Sequence, residues 1–170
     1  MPEAIKTYVR CVDAVNRVVG RFAMYLIFVM MGVLLLSSGS RTFFDVSHIW
    51  TVEVAQFLLT GYYLLGGAYS MQLDAHVRMD LVYSHWSPKR KAIADAITVF
   101  FLIFYLVVLL VGGISSTEYA LTYGQKNFSA WAPPLAPIKI VMVIGIVLML
   151  LQVSAVFFRD LATARGEPLP

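Results

Sequence analysis

Four stretches of this chain carry no charged side chain at all, and each is long enough to cross a lipid bilayer. They cover residues 22–40, 54–73, 96–117 and 140–158, which makes 19, 20, 22 and 19 residues. At about 1.5 Å per residue each gives a helix of roughly 30 Å, the thickness of the hydrocarbon layer. None alternates polar and apolar positions in the two-residue period of a membrane β-barrel. Composition agrees. Of 170 residues 59% are hydrophobic and 14% charged, and the mean hydropathy is +0.76. A soluble domain has about a quarter charged residues, and one of this size cannot bury so much apolar surface. The sequence therefore predicts an all-α integral membrane protein of four transmembrane helices, forming a single domain over residues 1–170.

Basic residues set the orientation. Lys6, Arg10, Arg17 and Arg21 precede the first run, Arg78, Lys89, Arg90 and Lys91 lie between the second and third, and Arg159 and Arg165 follow the fourth. Only Arg41, Lys126 and Lys139 lie on the other side. Ten against three predicts cytoplasmic N and C termini, with the opposite side periplasmic in a bacterial inner membrane. A rival reading makes the first run a signal peptide cut near Ser38, Gly39 and Ser40, which would leave three helices. Ahead of that run, Ile5, Tyr8, Val9, Val12 and Val15 share one face, and Lys6, Arg10, Asp13 and Arg17 mostly lie elsewhere. This predicts an N-terminal amphipathic helix in the cytoplasmic interface. Pro88 suits the first turn of the third helix, with Ser87 as its cap. Trp50, Tyr123 and Trp131 at the outer boundary, and Tyr83 and Trp86 at the inner one, form aromatic belts. The net charge of +3 and pI near 9.1 point to anionic lipid as partner rather than nucleic acid.

Chemistry at membrane depth usually requires ionisable groups, and the four runs hold no Asp, Glu, Lys, Arg or His. His48, His76 and His85 lie outside them, which argues against a haem held between helices. The one cysteine, Cys11, cannot form an internal disulfide or a multi-cysteine centre. Asp74, His76 and Asp80 make a weak metal motif that solvated loop polarity explains as well. No cofactor, no metal and no catalytic residue is expected. Small residues are the clearest feature of the runs. Gly66 and Ser70 are four apart in the second, Gly112 and Ser116 in the third, with Gly67 and Gly113 alongside. Such spacing lets two membrane helices approach, within this chain or with a partner.

The block from Trp50, Thr51, Val52 and Glu53 through Leu65, Gly66, Gly67 and Ala68 leads into His76, Val77, Arg78, Met79 and Asp80, and then Trp86, Ser87, Pro88, Lys89 and Arg90. Together with four runs of this length, it resembles the small membrane subunit of tripartite ATP-independent periplasmic (TRAP) transporters. The resemblance implies a separate scaffold subunit in a sodium-coupled symport system for organic acid uptake. Its partners would be a large transmembrane subunit carrying the substrate and sodium sites, and a periplasmic substrate-binding protein. On that reading Trp50, Glu53, Lys126 and Trp131 are expected to dock the binding protein. Glu53 has an alternative role in stabilising the positive end of its helix. His76, Arg78, Asp80, Lys89, Arg90 and Lys91 are expected to anchor the cytoplasmic side, His76 and Asp80 pairing on one helical turn. Two rivals remain. A self-sufficient four-helix carrier would need an embedded acid, and the nearest, Glu53 and Glu118, sit at outer run ends. A membrane redox protein would need the histidines or cysteines that are absent from the runs.

Overall fold

The computed structural model describes residues 3–73 and 88–164. Four helices account for most of them: α1 (Glu3–Phe44), α2 (Trp50–Gln72), α3 (Pro88–Thr122) and α4 (Ala136–Ala164). There is no strand among the described residues, only an isolated bridge between Lys126 and Pro134. α1, α3 and α4 each contain one charge-free run and extend past it at both ends, and α2 covers all of its run except the last residue, Leu73. Three of them, α1, α3 and α4, are long and apolar enough to cross a membrane. α2 has the length, at 23 residues, but its apolar positions are diluted by Gln56, Thr60, three tyrosines and three glycines.

α1 is continuous for 42 residues, roughly 60 Å, about twice what a bilayer core requires. No break separates the amphipathic start from the apolar part. The stripe expected to lie on the lipid interface is used inside the fold instead. Val9 and Val12 are buried with Ala155 of α4, and Ile5, Tyr8, Leu151 and Phe158 pack around them. Val15, assigned to the same stripe, is exposed. α3 begins at Pro88, where the missing N–H and fixed φ suit the first turn. It ends with Gly124 in the left-handed region and a bond from the Gln125 N–H to the Ala120 carbonyl at 3.1 Å.

α1, α2 and α4 form one body. α2 packs between α1 and α4, and the start of α1 also meets the end of α4. Two glycines make this possible. A Cβ on Gly20 would run into Cγ of Tyr69, and one on Gly145 would stand 2.7 Å from the backbone oxygen of Leu64. α3 is different: it packs chiefly against α4. From Ile97 onward its buried residues are Leu106, Gly113 and Ala120, each seven apart. That is one narrow seam of the coiled-coil kind, and most of the other residues from Ile97 onward are exposed.

Candidate functional site

The polar groups of the bundle gather at its two ends. At the near end, where α1 begins and α2 and α4 finish, buried amides and one ion pair link the three helices. Asn16 Nδ2 donates to Gln152 Oε1 at 2.6 Å, and Gln152 Nε2 donates to Asp13 Oδ1 at 3.1 Å. Arg159 meets Asp13 Oδ2 at 2.6 Å, and Gln72 Nε2 reaches the Asp13 carbonyl at 3.3 Å. Asn16 and Gln152 are almost fully buried. Beside them Tyr8 and Ser154 share a hydrogen bond of 2.7 Å, and the Tyr8 ring stands edge-on to Phe158. Asp13 thus receives three donors from two neighbouring helices. Among the described residues Asn16 Oδ1 and Gln72 Oε1, both buried, have no partner. Burial makes such amides costly unless bonded, so the links that exist fix the register of α1 on α4. This cluster has the chemistry of a joint. It lacks the free buried acid that proton or ion coupling requires.

These residues were not singled out from the sequence, although their signal was there. Asp13 and Asn16 are three apart and Gln152 and Arg159 seven apart, so each pair lies on a single helical stripe. Matching the two polar stripes predicts the contact. Gly20 and Gly145 gave no such signal, because neither has a small residue four positions away.

The far end is built from the chain connections. Thr51 bonds Ser37 Oγ at 2.9 Å and the His48 carbonyl at 2.8 Å, tying the start of α2 to α1. Between α3 and α4 the backbone folds on itself. Asn127 N–H meets the Pro133 carbonyl at 2.9 Å, Leu135 N–H meets the Gln125 carbonyl at 3.0 Å, and Ala132 takes φ 47°. Lys139 extends from α4 to the Ser116 carbonyl at 3.1 Å and to Gln125 Oε1 at 2.7 Å, supplying donors for the end of α3. The connection is held at its base, and at its tip Phe128 is fully exposed.

The predicted site residues fall into three groups. Of the small residues, Gly67 faces Met149 and Gly113 faces Met142, Val143 and Ile146 of α4. Among the described residues nothing lies within 4 Å of a Cβ on Gly66 or Gly112. Ser70 and Ser116 are half-buried, and Ser116 contributes its carbonyl to Lys139. Of the outer residues, Trp50 (38%), Trp131 (45%) and Lys126 are exposed. Glu53 is only 7% exposed, and its Oε2 has no bond among the described residues, so it offers little to an outside partner. Of the anchoring set, His76, Arg78 and Asp80 lie outside the described residues, as do Tyr83, Trp86 and Ser87. Lys89, Arg90 and Lys91 stand in the first turn of α3. No group of three metal-ligating side chains occurs among the described residues.

Comparison with curated proteins and with solved structures gave no match. Comparison with family models did. Residues 30–163, more than three quarters of the chain, match the family described as tripartite ATP-independent periplasmic transporters, DctQ component.

Proposed function

The chain belongs to the DctQ component family of tripartite ATP-independent periplasmic transporters, a family of transporter components and not of enzymes, and from that premise we propose that it acts as a fixed scaffold. On this reading it holds the large transport subunit in the bacterial inner membrane and helps dock the periplasmic binding protein, while sodium and an organic acid pass through the large subunit alone. All four helices span, both termini are cytoplasmic, and the near end of the bundle faces the cytoplasm. The observation that carries the proposal is the absence of Asp, Glu, Lys, Arg and His from the four apolar runs, where a carrier would hold its coupling group. The joint of Asp13, Asn16, Gln152 and Arg159 supports it, because a body tied by buried polar contacts between helices is suited to holding still.

Docking belongs to the far end, where Trp50, Lys126, Phe128 and Trp131 are exposed on connections held by internal hydrogen bonds. Aromatic groups on a fixed base are the material of contact hot spots. Glu53 serves the start of its own helix.

Reconstituted alone in liposomes under a sodium gradient, the chain accumulates no organic acid. Joined with the large subunit and binding protein, it supports uptake. Accumulation by the chain alone would refute the scaffold. In the full complex, Phe128→Ala with Trp131→Ala raises the half-saturating concentration of binding protein by about tenfold at unchanged assembly. An unchanged concentration would remove the docking role.

A further inference from the structure

Arg10, Asp13, Ala14 and Arg17 form one stripe of α1. With Tyr69 and Gln72 of α2, Leu73 just past its end and Arg159 of α4 they line an open cavity of about 440 Å³ at the near end. Among the described residues it brings together three arginines and one carboxylate. That carboxylate is already engaged, Oδ1 by Gln152 and Oδ2 by Arg159. Arg10 and Arg17 are exposed, so among the described residues the lining has an excess of two positive charges.

Its depth narrows the choice of ligand. Arg159 follows immediately on the charge-free run 140–158, and Gln72 is the last residue but one of the run 54–73. Asp13, in contact with both, is therefore level with the cytoplasmic-side ends of those two runs. Arg17 stands about one turn beyond Asp13 towards the membrane interior. Three residues further along α1, Gly20 lies against Tyr69. The flank of α2 beside Arg17 belongs to a run with no acid in it. A guanidinium at that level is stabilised by a planar, bidentate oxyanion. Ala14, Tyr69 and Leu73 add an apolar wall that a small hydrated ion does not use.

We propose that this cavity binds the phosphate of a phospholipid headgroup, with Arg10 and Arg17 as its cationic sides and Tyr69 and Leu73 against the glycerol and first methylenes. The lipid would occupy the groove between α1 and α2 beside the Asp13–Arg159 pair and seal the joint from water. The inference rests on the chain being a membrane subunit, but not on its being a scaffold.

The test uses the complex of the full chain with its large subunit, stripped stepwise of lipid in detergent and followed by native mass spectrometry. Phosphatidylglycerol or phosphatidylethanolamine is then added back. One phospholipid survives stripping, and millimolar inorganic phosphate does not displace it. Arg10→Gln with Arg17→Gln weakens its retention by about tenfold or more, whereas Arg41→Gln at the far end leaves it unchanged. Arg17→Lys keeps the charge, loses the fork and recovers part of the affinity, which separates recognition from any loss of folding in the double variant. Equal retention in the double variant overturns the proposal. Displacement by inorganic phosphate overturns the lipid in favour of a free anion. Loss of the large subunit with lipid retention unchanged assigns the arginines to a protein contact instead. Failure of the scaffold reading would appear as uptake by the chain alone, which lipid retention does not report.

Discussion

α2 and α3 are both single helices of the same bundle, yet their sequences and surroundings run in opposite directions. α3 has the longest charge-free run and touches chiefly α4, through Leu106, Gly113 and Ala120. α2 alone of the four has no stretch as apolar as a membrane span usually is, and it lies between α1 and α4. In water the more apolar helix would be the more buried. In a bilayer lipid satisfies apolar side chains as well as a neighbouring helix does, so burial goes to segments with small residues and hydrogen-bonding groups. α2 has both: Thr51, Ala55, Gly61 and Ala68 are buried, and Gln72 reaches across to α1. Hydropathy alone does not rank burial, since α4 is as apolar as α3 and yet packs against all three other helices, where it buries Gly145, Gln152 and Ala155.

This contrast is broken most severely at the close approaches. Gly145→Ala puts a methyl against the Leu64 backbone and Gly20→Ala puts one against the root of the Tyr69 side chain. Each is expected to cost about 1–3 kcal/mol, since neither neighbour can turn aside cheaply. Gly112→Ala on the open flank of α3 should be neutral or stabilise slightly, because helix interiors favour alanine. Thermal unfolding in detergent checks the set. Equal losses at all three sites would mean that α3 is packed as tightly as α2.

The polar joint comes next. Gln152→Leu leaves Asn16 Nδ2 and one oxygen of Asp13 without their partner and should cost about 1–3 kcal/mol. The double change Asn16→Leu with Gln152→Leu should cost less than the sum of the single ones, because it removes the stranded donor too. Strict additivity would show that the two amides do not act on each other. Arg159→Gln has a smaller effect, about 1 kcal/mol, since the side chains of Arg159 and Asp13 are 30% and 15% exposed and solvent screens the pair. Tyr8→Phe, losing one hydrogen bond to Ser154, is expected to cost about 0.5–1 kcal/mol.

Much of the architecture was legible in the sequence, because the charge-free runs are governed by bilayer thickness and nothing else. The start of α3 at Pro88 was legible for an equally local reason. The first three turns of α1 were read less well. Amphipathicity shows that Val9 and Val12 need an apolar partner but not whether that partner is lipid or Ala155 of α4. The small-residue rule picked Gly66 with Ser70 and Gly112 with Ser116, yet among the described residues nothing lies against Gly66 or Gly112; the adjacent Gly67 and Gly113 meet α4, and Gly20 and Gly145, whose opposing atoms are a tyrosine ring and a backbone carbonyl, were missed. Spacing along one helix cannot report on the helix opposite. Glu53 fell between two readings for a similar reason, since position at a helix start does not reveal a 7% exposure.

The central claim, a subunit that holds still while another moves, is tested most directly by preventing it from moving. In a Cys11→Ser background, Val12→Cys and Ala155→Cys place two thiols in the core shared by α1 and α4, to be joined by oxidation or by a short bifunctional reagent. Uptake by the complete three-part system is measured before bridging, after it, and after reduction. A fixed scaffold predicts the same uptake in all three states. Uptake that collapses on bridging and returns on reduction would show that α1 and α4 must separate during transport, and the chain would then be part of the moving machinery.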